Sequence, residues 1–266
     1  MHNTDPEIQI HRYDEHTFIL RQNMAVDYEA PFLFLMFGNE SAVLIDTGAT
    51  SCEDFFPLRR VVDRIIEEWT SDNPRDAYRL VVLHTHPHED HVAGDVQFLD
   101  RPLTSVIGAE RVDSWRHFGF EDDEEAVATV DLGGRALECF ATPGHHEASV
   151  TFYDPWTGFL LTGDTIYPGR LYIDDWESFG RSVDRMIRFC SRRRITHVLG
   201  CHIEMTATPG VDYPVRTTHQ PDEPPLELNV GHLHEIRAAL DELGARPRRH
   251  VLPRFVLWPE PDVEDG

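Results

Sequence analysis

The chain has 266 residues, an apolar fraction of 41% and a formal net charge of −23, which is length enough for one large domain or two small ones with a substantial core. All 24 basic residues are arginine, so Schiff-base and lysine-nucleophile chemistries are excluded, and the acidity opposes binding to nucleic acid or to an anionic membrane surface. No apolar stretch approaches bilayer length, and the first residues lack the basic-then-apolar layout of a signal peptide, so the expected location is the cytoplasm.

Short apolar segments at 17–20, 32–37 and 42–45 read as strands, the last two joined through Gly38-Asn39-Glu40-Ser41 as a hairpin. The third ends in Asp46, a carboxylate that needs a partner there. Pro57 to Trp69 has helical spacing of Leu58, Val61, Val62, Ile65, Ile66 and Trp69. A strand at 80–83 follows. The pattern after Gly94 is less clear, and Glu121 to Glu125 is a solvated acidic turn. Strands follow at 136–141, 150–153 and 159–162, a helix at 176–190 and a strand at 196–199. Arg192, Arg193 and Arg194 complement that helix's dipole. The proline-rich stretch 206–225 is non-helical and suits either a lid or a packed loop. A helix at 226–243 and a strand at 251–258 close the chain, and 259–266 is expected to fray. His232 and His234, near the start of that helix, read as structural or solvent-facing. Cys52, Cys139, Cys190 and Cys201 lack CxxC spacing and suggest no disulfide framework, though Cys201 sits beside His202 at the edge of a candidate site.

The chemistry concentrates in His84 to Gly94, HTHPHEDHVAG, directly after the 80–83 strand. Pro87 argues against a helix there, and in an extended backbone His86 and His88 point the same way and can share a metal. Asp90 and His91 point elsewhere, so the run suits two neighbouring metals better than one. Imidazole and carboxylate without thiolate suit zinc, iron or manganese and exclude a closed cysteine-rich structural site. A surface histidine cluster is the bland alternative. Against it, four strands finish in or just before His or Asp: at His84 to His91, His145, Asp164 and His202. In a layered sheet such ends lie along one edge, where sites are built.

With these positions placed, the chain closely resembles the metallo-β-lactamase-fold hydrolase superfamily. The His-x-His-x-Asp-His hallmark stands as His86-Pro87-His88-Glu89-Asp90-His91, followed by His145 in TPGHHEAS, Asp164 in LTGDT and His202 in LGCHIE, with Asp46 in LIDTG closing an early strand. The resemblance implies an α/β (α+β) fold, a four-layer αββα sandwich, over 1–266 as a single domain with a proline-rich excursion at about 203–228. It implies that His86, His88 and His145 hold a first metal and Asp90, His91 and His202 a second, with Asp164 bridging as in the glyoxalase II group. Two departures stand out: His146-Glu147-Ala148 replaces the family's usual threonine and glycine-containing turn, and only one clear helix follows His202. Glyoxalase II enzymes carry a helical glutathione-binding domain there, so glutathione thioesters are not the expected substrate.

The expected activity is hydrolysis of a small ester, thioester or lactone by a hydroxide shared between two divalent ions, zinc first, with manganese or iron as alternatives. Asp90 is the candidate acid/base group, and Asp46 and His84 the candidate partners that orient the ligands. Tyr167, Arg170 and Tyr172 are candidate substrate contacts, Arg170 either clamping a substrate carboxylate or pairing with Asp174 or Asp175. The alternatives are a mononuclear iron dioxygenase using His86, His88 and His145 on a sulfur substrate, and a non-catalytic metal-binding module. The expected partner is a small molecule, and a homo-oligomer stays open.

Overall fold

Short apolar runs form the central strands and runs of period 3.6 the longer helices within residues 6–259, the part of the chain that the computed structural model describes. The chain falls into two units, one holding the chain up to Cys139 with Val215–His219, the other Phe140–Pro214 and the chain from Gln220.

The first unit is built on a six-stranded sheet of β1 (Ile8–Asp14), β2 (Thr17–Gln22), β3 (Phe32–Phe37), β4 (Ser41–Ile45), β5 (Arg79–Leu83) and β6 (Thr104–Val106), in that spatial order. The first four pair antiparallel, while β4, β5 and β6 run parallel. The crossover from β4 to β5 is α1 (Leu58–Asp72). It buries Leu58, Val62, Ile65, Ile66 and Trp69 in one cluster with Leu33, Leu35, Leu44 and Val82. Arg135, fully buried, donates to the carbonyls of His16 (2.8 Å) and Phe37 (3.3 Å) and to the Thr17 hydroxyl (3.0 Å), which settles a charge that burial alone would make costly. A short helix α2 (Glu89–Val92), a 3-10 turn (Ala93–Gln97), helix α3 (Arg111–Phe118) and the strands β7 (Ala128–Asp131) and β8 (Ala136–Ala141) complete the chain up to the second unit.

In the second unit β9 (Val150–Asp154) pairs antiparallel with β10 (Phe159–Gly163), which pairs parallel with β12 (His197–Gly200). A smaller sheet joins β11 (Arg170–Ile173), β14 (Val256–Pro259) and β13 (His250–Val251). Helices α4 (Trp176–Cys190) and α5 (Val230–Leu243) share a core with them through Phe179, Val183, Met186, Leu233, Ile236 and Leu240. The caps explain both starts. Asp175 accepts from the Ser178 amide (3.0 Å) and hydroxyl (2.6 Å), and Asn229 accepts from Gly231 (2.8 Å) while His232 Nδ1 accepts from the Asn229 amide (3.1 Å). His232 is thus structural, and His234 is exposed. Past α4, Arg193 lies 3.6 Å over the Phe189 ring and donates to the Phe189 carbonyl at 3.4 Å, as a cation at a helix C-terminus should.

Several expectations are corrected. The ligand run is extended only as far as His88, which serves as N-cap, and is helical from Glu89. Pro87 lies outside that helix and costs it no hydrogen bond, while Glu89 and Asp90 favour its positive end. The last helix starts at Val230, because Asn229 caps it and Leu228 pairs with Val198 in an isolated bridge. The strand expected at 251–258 is a hairpin, turned at Leu252–Phe255 around Pro253. The sequence patterning does not predict β1, β6, α3, β7 or β11. Of the tail 259–266 expected to fray, Pro259, in β14, pairs with Ile173, and the rest lies outside the described residues.

Candidate metal centre

In the first unit the geometry follows from one register. Ile45 lies opposite Leu83 in the parallel β4–β5 pair, so Asp46 and His84 leave the sheet side by side. Asp46 is fully buried and held at φ 64°, a conformation rare outside glycine that Asp tolerates better than most. Its Oδ1 accepts from the Thr85 amide (2.8 Å); its Oδ2 accepts from the Thr85 hydroxyl (2.9 Å) and faces His91 Nδ1 (2.9 Å).

These contacts set the histidine tautomers. A carboxylate can only accept, so His91 donates through Nδ1 to Asp46 and turns Nε2 outward. That Nε2 lies 3.1 Å from Asp90 Oδ2, and two acceptors at that distance need a cation between them, so a metal ion there would meet a lone pair on Nε2. The Thr85 hydroxyl, having given its proton to Asp46, accepts from His86 Nδ1 at 3.1 Å. His86 Nε2 therefore also carries a lone pair, and it stands 3.0 Å from His88 Nδ1. The first unit thus presents two separate donor pairs, His86 with His88 and Asp90 with His91. His84 is buried beside Asp46 (3.8 Å) and Asp95 (3.2 Å), and Asp95 accepts from the Thr47 hydroxyl at 2.8 Å. Asp46 and His84 thus stand behind the ligand run.

The second unit repeats the logic. Gly163 pairs with Gly200 across the parallel β10–β12 pair, so Asp164 and His202 emerge together. The turn before β9 carries His145 to the same end of the sheet, because β9 runs antiparallel to β10. Gly200 allows the approach: a Cβ there would stand 2.3 Å from Tyr167 Cβ and 2.4 Å from the Ile166 carbonyl oxygen. His145 Nδ1 donates to the Tyr172 carbonyl at 2.9 Å, which leaves a lone pair on Nε2. Asp164 turns Oδ2 toward His145 Nε2 (3.9 Å) and Oδ1 toward His202 Nε2 (3.3 Å). One carboxylate addresses two imidazoles with its two oxygens. His145, Asp164 and His202 are buried. His146 stays outside this set, its Nδ1 accepting from the Ala148 amide at 3.1 Å in the turn. Cys201 is buried, with its amide donating to the Gly163 carbonyl at 3.2 Å.

The donor chemistry fits divalent metal ions. Imidazole lone pairs and carboxylate oxygens converge within each unit, and these are the ligands that suit zinc, manganese or iron.

Tyr167 and Arg170, among the expected substrate contacts, have partners of their own within the second unit. Arg170 is buried, and its donors go to Glu204 (2.5 Å), Asp212 (3.0 Å), the Tyr213 carbonyl (2.7 Å) and the Tyr172 hydroxyl (2.9 Å). These bonds go neither to Asp174 nor to Asp175. The Tyr167 hydroxyl contacts Glu204 (3.1 Å) and the Arg170 carbonyl. Burial, then the Glu204 and Asp164 carboxylates, push its phenol well above the usual tyrosine range, so it stays protonated at neutral pH. Thr85, Tyr172 through its carbonyl, and Glu204 are the site-supporting residues that sequence reasoning missed. Thr85, inside the His84–Gly94 run, and Glu204, two residues beyond His202, lay close to a motif, though neither residue type marks a role there.

Comparison with known proteins gives these geometries a context. The metallo-beta-lactamase superfamily model matches residues 30–246. A hydroxyacylglutathione hydrolase of Synechococcus sp. (strain JA-3-3Ab) is 31% identical over 140 residues, 51% of this chain and 56% of that protein. The acyl-coenzyme A thioesterase MBLAC2 of Homo sapiens is 27% identical over 208 residues, 64% of this chain and 72% of that protein. The chain spans about half the length of the hydroxyacylglutathione hydrolases that it matches. Among solved structures, the metallo-beta-lactamase FIM-1 from Pseudomonas aeruginosa aligns with TM-score 0.58 at 15% identity, over 91% of this chain and 98% of that one, a likeness of fold. The match over most of its length places this mixed α/β chain in a family, and it belongs to the metallo-beta-lactamase superfamily.

Proposed function

We propose that the protein is a metal-dependent hydrolase in which His86, His88 and His145 hold one divalent ion, Asp90, His91 and His202 hold a second, and Asp164 serves both. The observation that carries it is Asp164, whose two oxygens address two different imidazoles, the arrangement a shared ligand needs. Zinc is the first expectation, and manganese or iron suits the same donors. When bound, two such ions supply Lewis acidity and lower the pKa of a shared water towards about 7.

The residues do the rest. His91 and His86 are held in the ligating tautomer by Asp46 and Thr85, and His145 by the Tyr172 carbonyl. Asp90, partly exposed at the first turn of α2, accepts a proton from the attacking water and returns it to the leaving group. The substrate is a small ester, thioester or lactone. The relatives' names, an acyl-coenzyme A thioesterase and hydroxyacylglutathione hydrolases, favour a thioester among these. Both acyl-coenzyme A and glutathione thioesters therefore belong in the panel, and among the described residues one helix, α5, follows His202. No helix among them is long and apolar enough to cross a membrane.

The test is elemental analysis of freshly purified protein beside His88→Ala and Asp164→Asn, with ester, lactone and thioester panels. Two zinc or manganese ions per chain, fewer in both variants, together with turnover of one panel, is the expected result. One iron per chain with oxygen uptake in place of hydrolysis would overturn it, as would no metal after reconstitution.

A further inference from the structure

The ligands of the second unit come from three separate segments, and one buried ion pair ties those segments together. Arg170 lies on β11, six residues after Asp164. Its side chain is 4% exposed, and Glu204, two residues after His202, is 15% exposed. The guanidinium grips Glu204 Oε1 at 2.5 Å, and the Arg170 amide donates to Glu204 Oε2 at 2.8 Å. The strand after Asp164 is thereby clamped at both main chain and side chain to the segment after His202. The same guanidinium reaches the Tyr172 hydroxyl at 2.9 Å, and the Tyr172 carbonyl is the acceptor that orients His145 at 2.9 Å. Tyr167, hydrogen-bonded to Glu204 at 3.1 Å, sets its ring 5.5 Å edge-on from the His202 ring. The clamp is sterically specified as well. A Cβ on Gly169 would stand 2.2 Å from the Tyr167 ring and 2.8 Å from Glu204 Oε2.

We propose that Arg170 and Glu204 are positioning residues for the metal centre, setting the mutual placement of His145, Asp164 and His202 without touching metal or substrate. This inference rests on the proposed metal-binding reading. The chemistry explains why arginine stands here. A planar fork can serve Glu204, Asp212, the Tyr213 carbonyl and the Tyr172 hydroxyl at once, whereas a lysine ammonium has three donors and no fork. Asp212 and Tyr213 lie in the proline-rich excursion, so the clamp also anchors the start of that segment.

The experiment compares the wild type with Arg170→Lys, Arg170→Met, Glu204→Gln and the double variant Arg170→Met/Glu204→Met, which removes both charges of the pair together and leaves the half-buried Asp212 with Arg249 at 3.9 Å. Metal affinity is read by competition with a chromophoric chelator on protein shown folded by circular dichroism, and Tm is read on the metal-free form. Supporting groups of this kind typically change metal affinity about 10- to 100-fold. The expected result is a loss in that range for Arg170→Met and for the double variant, and a smaller loss for Arg170→Lys. A double variant that is folded and binds metal as tightly as the wild type would overturn the proposal, whatever its Tm. A wild type that binds no metal would instead overturn the underlying metal reading.

Discussion

Replacing Asp46 separates stability from ligand orientation. Asp46→Ala strips the acceptor from the Thr85 amide, the Thr85 hydroxyl and His91 Nδ1, all buried. A buried donor left unsatisfied costs about 1–3 kcal/mol, so three at the low end cost about 3 kcal/mol. Alanine at φ 64° adds strain that aspartate tolerates better. Against a typical total of about 5–15 kcal/mol, this variant should be visibly weakened in urea unfolding. Asp46→Asn behaves differently. Its carbonyl still accepts from the Thr85 amide, so the cost is about 1–2 kcal/mol. Its amide NH₂, however, faces His91 Nδ1 and drives the imidazole proton to Nε2, removing a ligand lone pair. The expected outcome is a folded Asp46→Asn protein with metal affinity about 10- to 100-fold lower. The assay pairs urea unfolding of the chelated protein with chelator competition. An Asp46→Asn variant that folds and binds metal as the wild type does would refute the tautomer reasoning.

Three further outcomes are expected. Gly144→Ala should destabilise by about 3 kcal/mol, because φ is 140° and the added Cβ would stand 2.4 Å from Phe179 Cα; a Tm within a degree of the wild type would contradict the close approach of the His145 turn to α4. Asp175→Ala should cost about 1 kcal/mol at pH 7 through loss of the α4 cap. The hydrogen bonds from the Ser178 hydroxyl and amide hold the Asp175 carboxyl below its ordinary value of 3.8, so its contribution is present above that pH and is lost as pH falls through the lower native value. The gap in Tm between Asp175→Ala and wild type should therefore narrow in acid, and a constant gap would count against the cap's ionic part. Chelation should lower Tm, since ligand at about 100 times its Kd stabilises by about 2.7 kcal/mol, and Asp164→Ala should respond less to the chelator than the wild type.

The candidate ligands were legible because their signal is local. Four histidines and two carboxylates within His84 to His91, and single His or Asp residues after three further strands, declare their chemistry by residue type and strand end. Asp46 was legible for the same reason. Thr85 and the Tyr172 carbonyl were not, since an isolated threonine and a main-chain oxygen carry no compositional mark. The partners of Arg170 carry no local signal either, since Glu204 and Asp212 lie 34 and 42 residues away. β1 was passed over because all of its residues but Ile8 are exposed, so it lacks the half-buried alternation that marks a strand.

The amino-acid sequence by itself determined which atoms could bind a metal, which segments are amphipathic helices such as α1 and α4, and in what order the ligands arrive. The tertiary structure alone decided which imidazole nitrogen carries the proton and which carboxylate holds the arginine. The physical reason is that tautomers and ion pairs depend on hydrogen-bond partners brought close by strand register, Ile45 beside Leu83 and Gly163 beside Gly200, and these pairings join residues dozens of positions apart.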